Sequence, residues 1–228
     1  MRGKLIVLEG TDCSGKETQT NMLIERLKKE QVNVFKYWYP HYESPTGKII
    51  GGPYLGKEDI CEAYFEEGAA NVDPKVATLY YAADFKYSSP LIEDNLSVGN
   101  TVVLDRYCFS SYAHQGGKIK TKDRRIVNYK WLDNLFFDFL NLRKPDLTIL
   151  LYMPYEQALK LKQGRTEKPD QHERDEGHLK GAERAYLELA EIYGFKIINC
   201  VEDNKIKTME QIHEEVYECI KKHAITLR

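Results

Sequence analysis

The chain has 228 residues, with 33 Lys and Arg against 35 Asp and Glu and a net charge of −2, a near balance that speaks against a nucleic-acid or membrane-surface protein. Its length suits one α/β domain over residues 1–228, because such sheets often exceed the usual domain size. No apolar run approaches the ~20 residues needed to cross a bilayer. No signal peptide is expected before the first strand pattern, and five cysteines (Cys13, Cys61, Cys108, Cys200, Cys219) without metal-ligand spacing predict reduced thiols in a cytoplasmic protein.

The apolar run Leu5–Leu8 predicts a first strand, which breaks into Gly10-x-x-x-x-Gly15-Lys16 before an amphipathic helical pattern through Met22, Leu23 and Leu27. Strand, glycine loop and helix are the context of a phosphate-binding loop. The glycines let successive N–H groups converge on one anion, and Lys16 adds a positive charge toward the outer phosphates. Where a Ser or Thr would ligate Mg²⁺ after the lysine, Glu17 stands, with Thr18 one place later. Cys13, inside the loop and near a helix N-terminus, is either a thiol more reactive than usual or simply a small residue that fits.

A second strand is expected over Val32–Tyr37, closed by Tyr39-Pro40. Residues 41–73, rich in Gly and Pro, read as loop over a ligand site with only short helical turns. A helix with proline in its first turn starts at Asp73-Pro74 and carries Ala, Leu and aromatic residues at helical spacing through Phe85. The strand Thr101–Asp105 delivers Asp105-Arg106-Tyr107 at its carboxyl end, the side of a doubly wound sheet where ligands bind. A helix over 129–142, a strand over 147–153 and a helix over 155–162 follow. Residues 163–177, almost without apolar side chains, are either a solvated linker or a lid that closes positive charge over a nucleotide. A helix over 180–193, a strand over 195–199 and a helix over 209–223 complete an α/β fold with five strands in a mostly parallel sheet.

Phosphoryl transfer needs two partners held in line, a metal on the donor phosphates and cations matched to the moving group. Lys16, Arg106 and either Arg165 or Arg174 are the candidate cations, arginine being suited because its planar fork meets two phosphate oxygens at once. Asp105 and Glu17 are the candidate metal-side carboxylates, with Glu9 a third.

Taken together, Leu8-Glu9-Gly10, Gly-x-Asp-x-x-Gly-Lys-x-Thr-Gln19, Leu104-Asp105-Arg106-Tyr107, Ser110 to Gly116, Lys144-Pro145-Asp146-Leu147, Met153-Pro154, Asp170 to Glu173 and Tyr186 to Ala190 resemble the thymidylate kinase family almost end to end. The resemblance implies a P-loop NTPase-type three-layer fold with a helical lid, transfer of the ATP γ-phosphoryl group to dTMP with Mg²⁺, and a homodimer. Gly10, Thr11, Asp12, Cys13, Ser14, Gly15, Lys16, Glu17 and Thr18 would then hold ATP, and Asp12 would also accept from the acceptor's 3′-OH. Arg106 would bridge donor and acceptor phosphates, while Ser110 and Gln115 would line the nucleoside and Tyr81 would stack on the base. Cys13 stands where some members carry a catalytic arginine, which assigns that work to Arg165 or Arg174, and adenine would sit near 201–205.

The acceptor side departs from the family pattern. Tyr42, after Tyr39-Pro40, occupies the place of a phosphate-clamping Arg, Phe85 that of the Arg reading the thymine edge, and His114 that of a Tyr crowding the 2′ position. These changes imply looser acceptor selection unless Lys48 or Lys86 restores a charge. A kinase for another monophosphate and a nucleotide-binding protein with reduced catalysis are the competing readings.

Overall fold

The computed structural model describes residues 2–162 and 175–224. Strands β1 (Leu5–Gly10), β2 (Val34–Trp38), β3 (Thr101–Asp105), β4 (Leu147–Tyr152) and β5 (Lys196–Asn199) form one sheet in the order β2-β3-β1-β4-β5, with every pairing parallel. The continuous apolar runs follow from that arrangement, since a central parallel strand is buried on both faces. In β1, Leu5 and Val7 enter one core while Ile6 and Leu8 enter the other, the two-residue alternation of an extended chain. The first core is covered by α3 (Pro74–Ser97), α4 (Cys108–Gly117), α5 (Lys122–Asp133) and α7 (Glu176–Tyr193), the second mainly by α1 (Lys16–Lys29) and α8 (Met209–His223). Helix α6 (Tyr155–Lys162) adds Ala158 to the second core, completing three layers. None of the described helices is long and apolar enough to cross a membrane.

Topology fixes the position of the site. The chain leaves β1 into α1 on one face and leaves β3 into α4 on the other, although β1 and β3 are neighbours with Leu8 opposite Asp105. Loops that part to opposite faces open a crevice at the carboxyl ends of the strands. Residues 10–15 and 105–107 lie in that crevice.

Several boundaries differ from expectation for local reasons. Helix α4 was not foreseen because its N-cap, Tyr107, supplies no side-chain cap. The cap comes instead from Glu9 on β1, whose Oε1 accepts from the Tyr107 N–H at 2.9 Å and the Ser110 N–H at 3.1 Å. The helix expected over 129–142 is α5 followed by a wide π turn, Asn134–Phe139. Helix α7 begins before 180 because the Asp175 side chain accepts from the His178 N–H at 2.8 Å. Beyond β5 a small antiparallel hairpin, β6 (Val201–Glu202) with β7 (Lys205–Ile206), occupies what the sequence presented as a turn. Residues 41–73 include α2 (Pro45–Ile49) and the π turn Ile50–Tyr54, and carry their own buried cluster of Ile50, Tyr54, Leu55, Ala69 and Val72. The segment is therefore packed structure as well as a cover for the site.

Candidate active site

Gly15, with φ of 75°, makes the left-handed turn that starts α1, a conformation glycine adopts without steric cost. Thr11 pins the loop to the neighbouring strand end: its hydroxyl donates to the Met153 carbonyl at 2.7 Å and accepts from the Met153 N–H at 2.8 Å. The Ser14 hydroxyl donates to the Thr11 carbonyl at 2.8 Å, and the Cys200 thiol, at 3.8 Å, donates to the Ser14 carbonyl. The residues leading into the β6–β7 hairpin thus adjoin the phosphate loop. Lys16 is 8% exposed, with Nζ 3.0 Å from the Thr11 carbonyl and 3.4 Å from Ser14 Oγ. Burial pushes its pKa down to about 8 and Arg106 adds to that, against the pull of Asp105, Asp12 and Glu9. Glu17 and Thr18 are exposed on the first turn of α1.

At the end of β3, Asp105 is 9% exposed. Burial raises its pKa, the charges of Lys16, Arg106 and Lys36 oppose the rise, and Glu17 reinforces it. Arg106 has a φ of 65° and donates its N–H to the Leu8 carbonyl at 2.9 Å. Burial works against its charge, but Tyr186, Asp105, Glu9 and Asp12 together raise its pKa and keep it a guanidinium. Asp12 is held by Lys162 Nζ at 2.5 Å. Burial alone would raise the Asp12 pKa, yet Lys162, Lys16 and Arg106 bring it below the usual value.

The expectation that Glu9 faces a metal is corrected. Besides capping α4, Glu9, itself 0% exposed, accepts at Oε2 from the half-buried Ser110 hydroxyl at 2.7 Å and from the buried Tyr186 hydroxyl at 3.0 Å. Its oxygens are committed within the protein. Burial raises its pKa, and the Ser110 hydrogen bond and the Arg106 charge are the largest opposing influences. Glu9, Ser110 and Tyr186 therefore form a buried frame around Arg106, whose Nη1 lies 3.4 Å from Ser110 Oγ and 3.5 Å from the Tyr186 hydroxyl. Tyr186 was seen in the sequence only as part of a family motif. No spacing rule links positions 9, 106, 110 and 186, which topology alone brings together.

Next to this frame is a cavity of about 720 Å³ including its open mouth, walled by Asp12, Tyr39, Tyr42, Tyr81, Phe85, Arg106, Ser110, His114 and Gln115, together with Leu55 and Leu179. Every residue expected on the acceptor side thus lines one space. Phe85 is buried in edge contacts with Tyr39, Tyr107 and Phe136. The Tyr39 hydroxyl meets Ser88 Oγ at 2.6 Å. His114 Nδ1 is 3.1 Å from His178 Nε2. Gln115 is 0% exposed, and neither its amide nitrogen nor its oxygen has a hydrogen-bond partner among the described residues. Neither Lys48 nor Lys86 lines the cavity: Lys86 Nζ donates to the Leu140 carbonyl at 3.0 Å, and Lys48 is exposed on α2. Arg165 and Arg174 lie outside the described residues.

Comparison with known proteins agrees with this geometry. The family model for thymidylate kinase matches residues 8–216. A probable thymidylate kinase of Methanocaldococcus jannaschii is 32% identical over 214 residues, 92% of each chain. The thymidylate kinase of Halothermothrix orenii is 32% identical over 234 residues, covering 97% of this chain and 98% of that protein. The solved structure of a Candida albicans thymidylate kinase, described as having broad substrate specificity, superposes with a TM-score of 0.70 at 27% identity over 97% of this chain and 92% of that one. With a family match over most of its length and the five-stranded parallel sheet of a P-loop NTPase, the chain belongs to the thymidylate kinase family of phosphotransferases.

Proposed function

We propose that this chain, read as one kinase domain, transfers the γ-phosphoryl group of ATP to dTMP. The observation that carries the reading is that Asp12, from the phosphate loop, and Arg106, from the end of β3, both line the acceptor cavity. Donor and acceptor phosphates would meet at those two side chains. The loop N–H groups of residues 10–18 and Lys16 would hold the ATP phosphates, and Asp12 would accept from the acceptor's sugar hydroxyl. Tyr81 would stack on the base and the unpaired Gln115 amide would face its edge. The tether between Cys200 and Ser14 supports adenine lying by residues 201–205. The assignment of a catalytic arginine to Arg165 or Arg174 rests on the sequence. Five cysteines outside any disulfide among the described residues are in keeping with a cytoplasmic enzyme. A coupled assay for ADP formation across a panel of nucleoside monophosphates tests the reading, and no ADP with any acceptor would reject it.

Mg²⁺ fits the residues present. Asp105 is a buried carboxylate at the end of β3 within electrostatic reach of Lys16, as suits an ion held by one or two carboxylates plus substrate phosphates. When bound, it neutralises charge on the β- and γ-phosphate oxygens. Asp105, buried beside Lys16, is the better placed ligand, and Glu17 on the exposed helix turn adds negative charge from outside. Asp105→Asn is therefore expected to raise the Mg²⁺ concentration for half-maximal rate about tenfold, and Glu17→Gln to raise it less. Unchanged Mg²⁺ titrations in both variants would show that neither carboxylate contributes.

Base selection is expected to be modest. Among the described residues, Arg106 is the only arginine or lysine lining the cavity, and aromatic walls tolerate any planar base. The broad specificity reported for the Candida albicans relative is in keeping with this. The ratio of kcat/KM for dTMP over dCMP or dGMP is expected below about a thousandfold, since only a fully paired polar reader rejects more strongly. A larger ratio would mean that Gln115 reads thymine as stringently as an arginine.

A homodimer is supported by α3, where Val76, Leu79, Ala83, Tyr87 and Leu91 are exposed. At 100° per residue these positions fall within a stripe of roughly 120°, and contiguous exposed apolar surface of this kind marks association. Leu79→Lys combined with Leu91→Lys is expected to halve the mass seen by light scattering. A parent already monomeric at assay concentrations would remove α3 from that role.

A further inference from the structure

We propose that Lys118 is a positioning residue for acceptor binding: its ammonium, at the end of α4, fastens residues 54–72 so that Tyr42 and Leu55 stand as one wall of the cavity. Lys118 follows Gly117 as the C-cap of α4 and donates to the Ala69 carbonyl at 2.8 Å, the Val72 carbonyl at 2.9 Å and the Tyr54 hydroxyl at 3.5 Å. The Tyr54 hydroxyl in turn donates to the Ala69 carbonyl at 3.1 Å. Ala69 is 0% and Val72 2% exposed, so these carbonyls need protein donors.

Between the π turn Ile50–Tyr54 and α3 the chain forms turns and bends only, without a strand or helix to satisfy its backbone. A stretch of that length without regular structure is uncommon in a compact domain and needs an anchor from elsewhere. A tetrahedral ammonium offers three donors at one point, which a hydroxyl or amide does not. Burial pushes the Lys118 pKa down to about 8, and Asp73 restores only part of it. A cation kept in that place at such a cost is held for what it binds.

The anchored segment reaches the cavity through its own core. Tyr54, Leu55, Ala69 and Val72 form one cluster, with Tyr42, Tyr80 and Tyr81 packed on it. Of these, Tyr42, Leu55 and Tyr81 line the cavity, and α4 supplies Ser110, Ser111, His114 and Gln115 to the same lining. Lys118 thus joins two walls of one cavity and contacts neither the phosphate loop nor Arg106 in any hydrogen bond described.

The inference rests on the acceptor reading of the cavity, and the test separates the two. In Lys118→Met, which keeps most of the stem and removes the donors, KM for dTMP is expected to rise about tenfold, the size carried by lost charge-assisted hydrogen bonds. KM for ATP and kcat at saturating dTMP should stay within about twofold, and Lys118→Arg should recover most of the loss. Amide hydrogen exchange by mass spectrometry should quicken over 54–72 while β1, β3 and β4 keep their protection. Equal rises in both KM values, or an unchanged KM for dTMP, would overturn the proposal. So would loss of protection throughout the sheet, which would make Lys118 a global stabiliser. If the parent phosphorylates no monophosphate, the kinase reading fails, and the exchange comparison still decides whether Lys118 anchors the segment.

Discussion

Lys16→Met is expected to lower kcat by about a thousandfold or more, the scale of removing a preorganised charge from a developing anion, while leaving the fold intact. The Lys16 ammonium rests on the Thr11 carbonyl and Ser14 Oγ. Those neutral oxygens compensate a buried cation poorly, which is why burial, then Arg106, brings its pKa down to about 8. On the proposed reading, ATP phosphates would supply the negative charge that these neutral oxygens lack. The pH dependence follows. In the free enzyme Lys16 loses its proton as pH rises through about 8, so kcat/KM for ATP should fall along that limb. In the ternary complex phosphate holds the proton on, and the limb in kcat should lie higher. For stability the sign is opposite. Between about 8 and the usual lysine value of 10.5 the unfolded chain binds more protons than the folded one, so this residue makes stability rise with pH across that window. Removing it should therefore leave Tm unchanged or raise it near neutral pH. Turnover equal to the parent's would end the phosphate-loop assignment, and a collapsed Tm would show that the ammonium holds the loop together.

The parts of this site that could be read from sequence are those specified locally. Gly10, Gly15 and Lys16 announce the loop because the anion cradle is built from consecutive backbone N–H groups, and Asp105-Arg106 announce the second strand end because the apolar run stops there. The central strands were legible for the same reason that they are buried, and the helix expected over 209–223 coincides with α8, whose start is closed by a reciprocal capping box of Thr208 and Gln211. Residues 108–117 were not read as a helix. The side chain that caps their start is Glu9, remote in sequence, and a window along the chain cannot see it. Lys118 was invisible on similar grounds, since one of three lysines in Lys118-Ile119-Lys120-Thr121-Lys122 reads as solvated surface until a distant segment is folded onto it. Glu9 itself was misassigned because a carboxylate beside a phosphate loop suggests a metal. Only its four hydrogen bonds in the folded chain reveal a structural use.

Arg106→Lys is expected to cost about a hundred- to a thousandfold in kcat, with a smaller rise in KM for dTMP, although the charge is kept. Arg106 sits at a φ of 65°, a conformation that costs a non-glycine residue of the order of 1–3 kcal/mol unless its surroundings enforce it. They do so on both sides. The Arg106 N–H is bound to the Leu8 carbonyl, and the next residue, Tyr107, is held through its N–H by Glu9. From this turn Arg106 reaches the cavity lining, to which the phosphate loop contributes Asp12. A planar fork placed there can meet an oxygen of each phosphate at once, whereas an ammonium is a point charge that serves one. Because the moving phosphoryl group carries its charge between the two partners only in the transition state, the loss should fall on kcat more than on either KM. Tyr186→Phe, which removes the hydroxyl shared with Ser110, Glu9 and Arg106, should give a loss of the same kind but smaller, near tenfold, with both KM values little changed. Activity within a few-fold of the parent in Arg106→Lys would mean that charge alone suffices and that the enforced backbone serves another purpose. A loss confined to KM for dTMP would make Arg106 an acceptor clamp rather than a bridge.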